Sequence, residues 1–374
     1  MSIASVPYVN LVAQWEDEKH DLLPIIESVM SSGQFVGGEA VESFEQKAAE
    51  LCGTQFCVAL NSGTDALVFG LFALGVRPGD EVITPPNSFV ASTAAIVHLG
   101  AKPVFVDVLP DQNMDPKFIE EAITNKTKAV MPVHLTGRVA QMETILGITQ
   151  SHGIPVIEDA AQSIGSYYKE LPSGSFGKVS CFSTHPLKNL NACGDGGFLT
   201  TNDLQIAKQV RLARNHGLLD RNIVARFSFV SRMDTLQAAI LKWRLTKLPQ
   251  VIKRRRKNAT LYRSLLDPNH VFIPKDKAEE FNTYHTFVIQ CEKRDALQKH
   301  LLKQGVETAI HYPIPIHLQP AAEYLGHRNG DFPITEYQAE RILSLPIHQY
   351  LKEDEVRHVA TSVNHFFKKN ADRD

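Results

Sequence analysis

Residues 56–67 read FCVALNSGTDAL, a short apolar run that passes directly into polar residues and then into a helical pattern. The same arrangement recurs downstream, where apolar runs alternate with amphipathic stretches: EVITP (81–85), PVFVDV (103–108), AVMPVHL (129–135), PVIEDA (155–160) and CFST (181–184). Strands that alternate with helices are typical of parallel crossover units. The pattern therefore predicts an α/β fold in which helices cover both faces of a mostly parallel, mixed sheet.

The pattern changes after residue 231. A long helix is predicted over residues 232–248, and it runs into five consecutive basic residues, 253–257. With 374 residues the chain is long enough for about two domains. We therefore expect a large domain, 1–248, followed by a smaller C-terminal α+β domain, 249–374. In the smaller domain the sequence predicts a strand and three helices, over 281–291, 295–304, 337–343 and 353–367.

Composition and charge limit the kind of partner. Lys and Arg number 39 against 41 Asp and Glu, so the net charge is -2 and no global field attracts nucleic acid or anionic lipid. The basic run 253–257 is interpreted as a solvated helix face. The five cysteines are an odd number without a CxxC pair, which favours a reducing compartment over disulfides or zinc. Since neither a signal sequence nor a membrane-length apolar run is found, we expect a soluble cytoplasmic protein with a small-molecule partner.

The cluster Asn61-Ser62-Gly63-Thr64-Asp65 stands where the first strand ends and a helix begins. Glycine lets backbone amides approach an anion, the helix N-terminus supplies unpaired N–H groups, and the hydroxyls add donors, so the cluster is suited to cradle a phosphate. The same residue types are also good helix caps. Taken alone, the cluster favours this ordinary capping role.

Two further candidates follow later strands. Asp159 closes the apolar run PVIED and suits a metal ligand, a general base, the counter-ion of a protonated ring nitrogen or a simple cap. Lys188 lies between a strand, a proline turn and the segment GDGG (194–197). Such a lysine can form a Schiff base when desolvation lowers its pKa, whereas most lysines are only solvated. Neither residue decides the function by itself.

The order of these features is more specific than any one of them. The phosphate cradle, Phe89, Asp159 and Lys188 follow one another as in the DegT/DnrJ/EryC1/StrS family of fold-type I pyridoxal-phosphate (PLP) sugar aminotransferases, which the sequence resembles over nearly its whole length. The matching segments are GQFVGGEAVESFE (33–45), NSGTDAL (61–67), GDEVITPPNSFVAS (79–92), PVFVDV (103–108), VIEDAAQSIGS (156–166), FSTHPLKNL (182–190), GDGG (194–197), RNHG (214–217), SRMDTLQAAIL (231–241) and HYPIPIHLQP (311–320).

The resemblance implies a role for each matching residue. Lys188 would hold PLP as a Schiff base and Asp159 would pair with the pyridine nitrogen, and these two are the expected catalytic residues. The other cofactor contacts are expected from Ser62, Gly63, Thr64 and Ser183 at the phosphate, Phe89 on the ring face and Gln162 near the ring hydroxyl. These residue types suit those contacts, since a phosphate needs donors and a pyridinium needs a carboxylate.

By the same resemblance, the expected reaction transfers an amino group from L-glutamate to a nucleotide-linked keto sugar, with pyridoxamine phosphate as the intermediate form of the cofactor. The segment 311–320 is most similar to members that aminate C-3, and C-4 enzymes are close relatives. A homodimer is expected. Substrate contacts are expected from His185, His216, His311, Tyr312 and His317, with Arg221 and Arg226 as candidates for the diphosphate. No metal site is expected, because the two histidines of segment 311–320 lack the spacing of a zinc pair.

One position departs from the family pattern. Members often carry an asparagine, thought to reach the phosphate of the neighbouring subunit, where this chain has Val230. Valine cannot donate a hydrogen bond. Either Ser228, Ser231 or a water replaces the contact, or the cofactor is held less tightly.

Three alternative functions are also considered. A pyridoxamine-dependent sugar dehydratase of the same family has a histidine in place of the Schiff-base lysine, so Lys188 argues against it. A nicotinamide dehydrogenase needs a GxGxxG run, which this sequence lacks. A catalytically silent PLP-binding regulator would hold the cofactor without turning over any amino donor.

Overall fold

The helices and strands of the protein follow the alternation that the sequence predicts, in a computed structural model that describes residues 5–371. Up to residue 159 the elements are α1 Leu11–Ser32, α2 Glu39–Leu51, β1 Phe56–Leu60, α3 Gly63–Ala73, β2 Glu81–Thr84, α4 Val90–His98, β3 Lys102–Phe105, α5 Ile119–Ala122, β4 Thr127–Val130, α6 Met142–Ser151 and β5 Ile157–Asp159. After it come β6 Tyr167–Tyr168, β7 Leu171–Pro172, β8 Val179–Ser183, β9 Gly197–Thr201, α7 Leu204–Ala213, α8 Thr235–Leu265, β10 Val271–Phe272, β11 Glu280–Phe281, β12 Phe287–Cys291, α9 Arg294–Lys303, α10 Pro333–Arg341, β13 Ile342–Leu345 and α11 Glu353–Ala371.

The central sheet has the strand order β1-β9-β8-β5, continued by β4-β2-β3. Two parallel bridges, Val130 to Val156 and Val133 to Asp159, join the two groups of strands between β4 and β5. Only β9 runs antiparallel to both of its neighbours, whereas β8 pairs with β5, and β2 with β3 and β4, in parallel. The prediction of a mostly parallel, mixed sheet is confirmed.

Helices cover both faces of this sheet. On β1, Val58 and Leu60 are buried in the core formed with α3, α4 and α7, while Cys57 and Ala59 are buried in the core formed with α2 and α8. Successive residues of a strand point to opposite faces, so burial of both sets requires a layer of helices on each side. This arrangement leaves the carboxyl ends of the parallel strands as the open edge of the sheet, where ligands bind in α/β folds.

The C-terminal part has its own antiparallel sheet, β10-β12-β13, and its own core. That core includes Val6, whose N–H donates to the carbonyl of Gly305 at 2.7 Å and whose carbonyl accepts from Glu307 at 3.0 Å. One helix, α8, passes through residue 248 and contributes to the cores on both sides. The division into 1–248 and 249–374 therefore stays a prediction.

Three sequence predictions need correction. The helix predicted over 337–343 ends at Arg341, and the last two of its residues begin β13, which pairs with β12. The strand predicted over 281–291 is interrupted, because residues 282–286, here called the strap, lie between β11 and β12. The basic run is not wholly solvated, since Arg255 is buried. Among residues 5–371, none of the helices combines the length and apolar character that a membrane span requires.

Candidate active site

A cavity of about 450 Å³ lies at the carboxyl ends of β1, β5 and β8. Its walls include most of the residues that the sequence singles out: Ser62, Gly63, Thr64, Phe89, Asp159, Gln162, Ser183, His185, Lys188, His311 and Tyr312. Because these residues come from distant parts of the chain, their assembly in one cavity is a property of the fold rather than of any local motif. His216 and His317 are not brought to this cavity.

The N-terminus of α3 forms one end of the cavity. Ser62 caps the helix, with its Oγ accepting the N–H of Asp65 at 3.1 Å, so the capping role of this cluster is present in the structure. The backbone is tightly placed, because a Cβ added to Gly63 would lie 2.7 Å from the Cβ of Ser183. Ser231 supports the turn from behind by donating to Asn61 Oδ1 at 3.1 Å. A helix N-terminus whose hydroxyls and amides line a cavity is a fitting site for a phosphate.

Asp159 ends β5 and is buried. Its Oδ2 accepts the hydroxyl of Ser92 at 2.6 Å, and its Oδ1 accepts the N–H of Ala161 at 3.2 Å. Burial raises the pKa of the Asp159 carboxyl, while these two hydrogen bonds and the charge of Lys188 act to lower it. A fixed carboxylate at this place is suited to accept an N–H from a protonated ring nitrogen.

The neighbouring acid, Glu158, has a different role. It is buried beside His134, whose Nε2 lies 2.9 Å from Glu158 Oε2, and it accepts the N–H groups of Phe176 and Gly177 at 2.8 and 2.7 Å. Burial alone would raise the pKa of Glu158, but the hydrogen bonds from His134, Gly177 and Ser180 and the charge of His134 lower it. Since adjacent strand residues face opposite sides of the sheet, only Asp159 reaches the cavity.

Lys188 lies on the cavity wall, in the loop after β8. Burial lowers its pKa to about 8, and the nearby Asp159 carboxylate only partly opposes this effect. A lysine with such a pKa has a substantial neutral fraction near physiological pH, and the neutral amine is the nucleophilic form. The residue is therefore equipped to form a Schiff base.

Aromatic and imidazole groups form the rest of the wall. The ring of Phe89 lies 5.7 Å from that of Tyr312, so a flat ligand has an apolar surface beside Lys188. Gln162 is fixed by the N–H of Thr136, which donates to its Oε1 at 3.1 Å. His311 is bound to Ser344 Oγ at 2.8 Å through Nδ1, and burial together with the charge of Lys188 lowers its pKa to about 4.

Two predicted substrate residues lie elsewhere. His317 is buried against Phe332, with its Nε2 2.9 Å from Glu336 Oε1, so its ring packs in a core rather than facing the cavity. His216 lies on the exposed segment after α7 and has a φ of 58°. On the same segment, Arg226 donates to the carbonyl of Gln209 at 2.9 Å. None of these three predicted side chains lines the cavity of its own chain.

Sequence reasoning missed several residues of the cavity wall, among them Ser92 and His285. Ser92 holds Asp159, but a serine inside a helix carries no visible signal of that contact. His285 lines the cavity from the strap. The polar run NTYHT (282–286), inside a segment otherwise typical of a buried strand, was the available signal.

The donor set fits PLP. A helix N-terminus faces one end of the cavity, Asp159 presents the carboxylate that a protonated pyridine nitrogen requires, Lys188 is partly neutral, and the wall offers an aromatic face. Fold and site together define a fold-type I PLP-dependent transferase.

Comparisons with known proteins agree with this class. The model of the DegT/DnrJ/EryC1/StrS aminotransferase family matches residues 16–364. A pleiotropic regulatory protein of Geobacillus stearothermophilus is 39% identical over 97% of this chain and 99% of its own length. A UDP-2-acetamido-2-deoxy-3-oxo-D-glucuronate aminotransferase of Pseudomonas aeruginosa is 37% identical over 96% of this chain and 99% of its own length. The crystal structure of S. venezuelae DesV in complex with a ketimine intermediate has a TM-score of 0.94 at 36% identity, covering 97% of this chain and 98% of that one.

The chain belongs to the DegT/DnrJ/EryC1/StrS aminotransferase family. Its cofactor is PLP, and solved structural neighbours include forms with bound PLP and with bound pyridoxamine phosphate. The protein is an enzyme, an aminotransferase.

Proposed function

We propose that the protein transfers the amino group of L-glutamate to the C-3 ketone of a nucleotide-linked sugar. The observation that carries the amino transfer is the presence of a partly neutral Lys188 and the fixed carboxylate of Asp159 in one cavity. The acceptor is supported by the relatives, several of which are named as aminotransferases of 3-oxo or 3-amino nucleotide sugars.

Each cofactor contact is assigned to a side chain of suitable chemistry. Ser62, Gly63, Thr64 and Ser183 bind the phosphate, Phe89 covers the ring, Gln162 lies near the ring hydroxyl, and Asp159 accepts the ring N–H. PLP, when bound, supplies the sink for the electrons released as the donor loses its α-proton. The charge of Asp159 keeps the ring nitrogen protonated, which is what makes the ring a good sink.

Lys188 performs the proton transfers. In the first half-reaction its Nζ takes the α-proton of the amino donor, and in the second it returns a proton to the sugar carbon that gains nitrogen. A pKa of about 8 serves both steps, because the amine accepts and releases a proton near neutral pH. We assign His185, His311 and Tyr312, which line the same cavity, to contacts with the substrates.

A homodimer completes the proposal. The segment after α7 exposes several large apolar side chains, including Phe227 at 99%, Phe229 at 75% and Leu219 at 66%. An exposed apolar patch of this kind marks an interaction surface, and a two-fold pair of identical chains is the commonest oligomer of soluble proteins. In such a pair, the exposed His216 and Arg221 would be presented to the second copy, whereas Arg226 packs over Phe72 of its own chain.

The dimer is tested by mass in solution. We expect a dimer for the wild type and a monomer for the double variant Phe227→Glu/Phe229→Glu, while Leu302→Glu, on α9 and as exposed as Leu219, stays dimeric. A fully active wild-type monomer would contradict the proposal.

The reaction is tested on the holoenzyme. L-Glutamate should yield one 2-oxoglutarate per site, and a nucleotide-linked 3-keto sugar should then yield a 3-amino sugar whose nitrogen position is read by NMR. Borohydride reduction should attach the cofactor to Lys188, and label on another lysine would remove that residue from its role. Binding of PLP without turnover of any amino donor would instead favour a silent regulator, a reading to which the name of the Geobacillus relative gives some weight.

A further inference from the structure

The strap, residues 282–286, is held by side chains from two other parts of the fold. Arg256 donates to the carbonyl of Asn282 at 2.7 Å, and Asn189 donates to the carbonyl of Thr283 at 3.1 Å. The next two carbonyls of the strap both accept from Arg255, each at 3.1 Å. Four consecutive carbonyls are therefore fixed by side chains instead of by strand pairing.

The strap is also held by two loops that follow strands of the central sheet. The N–H of Thr283 donates to the carbonyl of Gly137 at 3.0 Å, and the Thr283 hydroxyl lies 2.9 Å from that of Ser166. Tyr284 adopts a φ of 49°, in the left-handed region that a bulky residue rarely occupies. Such strain persists only where the surroundings over-determine the backbone, and it clusters at functional sites.

The strap places the imidazole of His285 in the cavity wall beside Lys188. Its Nδ1 is buried, and within residues 5–371 it has no hydrogen-bond partner. Buried polar groups are almost always paired in native proteins, so a histidine that lines the cavity and has an unpaired ring nitrogen is a candidate contact for a ligand.

The charged groups that act most strongly on His285 are positive, although the carboxylates of Asp159 and Asp195 line the same cavity. Arg255 is buried behind His285 and, among the described residues, forms no ion pair with a carboxylate. Burial lowers the pKa of Arg255 only to about 10, so it remains a cation at neutral pH. Burial and the charges of Lys188 and Arg255 hold the pKa of His285 well below its usual range. The imidazole is therefore neutral and keeps one N–H donor in a region of positive potential.

We propose that His285 donates a hydrogen bond to the α-carboxylate of the amino donor, and that Arg255 is a positioning residue that fixes the strap and favours an anion there. The proposal rests on the amino-acid donor of the proposed function. An anion fits better than the keto sugar ring, because a neutral ketone gains little from a buried cation. The α-carboxylate is one bond from the carbon whose proton Lys188 removes, and Lys188 and His285 line the same cavity.

The first test measures the donor half-reaction of the holoenzyme. We expect His285→Ala to raise the L-glutamate concentration for half-maximal rate at least tenfold, with a smaller change in the limiting rate. His285→Asn retains an N–H donor and should recover part of this loss. His152→Ala, an exposed histidine at the end of α6, is the control and should behave as wild type.

The second test does not depend on turnover. Calorimetry on the holoenzyme compares glutarate, which carries negative charge, with glutaramide, which has the same length and no charge. The wild type should prefer glutarate, and His285→Ala should lose at least tenfold of that preference. Wild-type holoenzyme without this preference, or a variant that keeps it in full, overturns the proposal.

The role of Arg255 is tested by comparing it with its neighbour on helix α8. Arg255→Met should weaken glutarate binding while Arg254→Met, at an exposed position one residue away, should not. If Arg255→Met fails to fold, Arg255→Lys keeps the charge but not the paired carbonyl contacts, and binding should be intermediate. If the wild type makes 2-oxoglutarate and His285→Ala uses L-glutamate as well as the wild type does, only this proposal is wrong. If the wild type uses no amino acid at all, the proposed function is wrong.

Discussion

The lowered pKa of Lys188, which suits its proposed function, also lowers the free energy of unfolding of the protein. In the cofactor-free protein, burial lowers its pKa from 10.5 to about 8, so the unfolded chain binds the proton more tightly between these values. The free energy of unfolding therefore rises with pH across that window and is lowest below it. A shift of this size corresponds to roughly 3 kcal/mol.

We accordingly expect cofactor-free Lys188→Met to be more stable than wild type by about that amount at pH 7, and to lose the advantage as the pH approaches 10.5. Urea unfolding of both proteins at several pH values measures the difference. Lys299→Met, on an exposed position of α9, is the control. A stability difference between Lys188→Met and wild type that is independent of pH would show that Lys188 is not desolvated.

Two variants separate the effect of the Asp159 charge from that of the hydrogen bond that Ser92 donates to it. Asp159→Asn preserves the shape of the side chain but removes the charge that stabilises a ring N–H, so turnover should fall by at least a hundredfold with an unchanged melting temperature. Ser92→Ala removes one hydrogen bond to the carboxylate, worth about 1–3 kcal/mol, and should have a smaller effect. Steady-state rates of the two variants would be compared, and near-normal turnover of Asp159→Asn would exclude the assigned role.

The residues that sequence could identify were those whose position followed from a strand end. Asp159 and Lys188 were candidates because an apolar run stops beside each of them. Arg255 could not be identified, because a run of charges on a helix does not reveal which one turns inward to meet a distant carbonyl. His317 was misplaced for the same reason, since its partner Glu336 lies on α10, outside the motif that contains it.

At the scale of elements, the strap depends on one close approach to the loop after β4. Gly137 has a φ of 97°, and a Cβ there would lie 2.8 Å from the backbone nitrogen of Tyr284 and 2.9 Å from that of His285. Both the backbone conformation and the contact exclude a side chain, so Gly137→Ala must displace the strap.

We therefore expect Gly137→Ala to lower the free energy of unfolding by more than about 1 kcal/mol and to weaken L-glutamate use. Gly147→Ala, inside α6 and with open space around its Cα, is the matched control. It should be neutral or stabilising by up to about 1 kcal/mol, because alanine is the better helix former. Chemical unfolding and the donor half-reaction give both readouts, and a Gly137→Ala protein equal to wild type in both would show that the strap is not constrained there.

The alternation of apolar runs and amphipathic stretches correctly predicted the strands and helices that bury one or both of their faces along their whole length. All six apolar runs between residues 56 and 184 contain strands of the central sheet. The strap was missed because alternation in 281–291 suggested one strand, while its carbonyls in fact bind arginine and asparagine side chains from elsewhere. The end of α10 was missed because the apolar run ILSL (342–345) continues a helical pattern and is also a good strand.

At the scale of the whole molecule, what sequence could not provide was long-range pairing. The start of the described chain joins the C-terminal core through Val6, three hundred residues from its partner Val306. A single β-bridge between two such segments has no local signal, because its pattern of residues is equally compatible with a loop. The same limit applies to contacts between subunits, which a single sequence does not show.

Val230 occupies the position from which family members with an asparagine are expected to contact the phosphate of the neighbouring subunit. It is about half exposed on the same segment as Phe227, and neither flanking hydroxyl is free to replace a missing donor. Ser228 donates to the carbonyl of Ala213 at 2.8 Å, and Ser231 donates to Asn61 at 3.1 Å. These contacts argue against replacement by either serine, which leaves a water in place of the contact or a cofactor that is held less tightly.

If the segment after α7 packs on a second copy, Val230→Asn places a new N–H donor near the partner's phosphate. A charge-assisted hydrogen bond adds up to about 1.5–3 kcal/mol, so PLP should leave the variant at least tenfold more slowly during dialysis. Val224→Asn, on the same segment and similarly exposed, is the control and should retain PLP as wild type does. Because the gain needs two subunits, it should disappear when Val230→Asn is combined with Phe227→Glu/Phe229→Glu. Slower release that persists in that monomeric variant would place the new contact within one chain and contradict the cross-subunit interpretation.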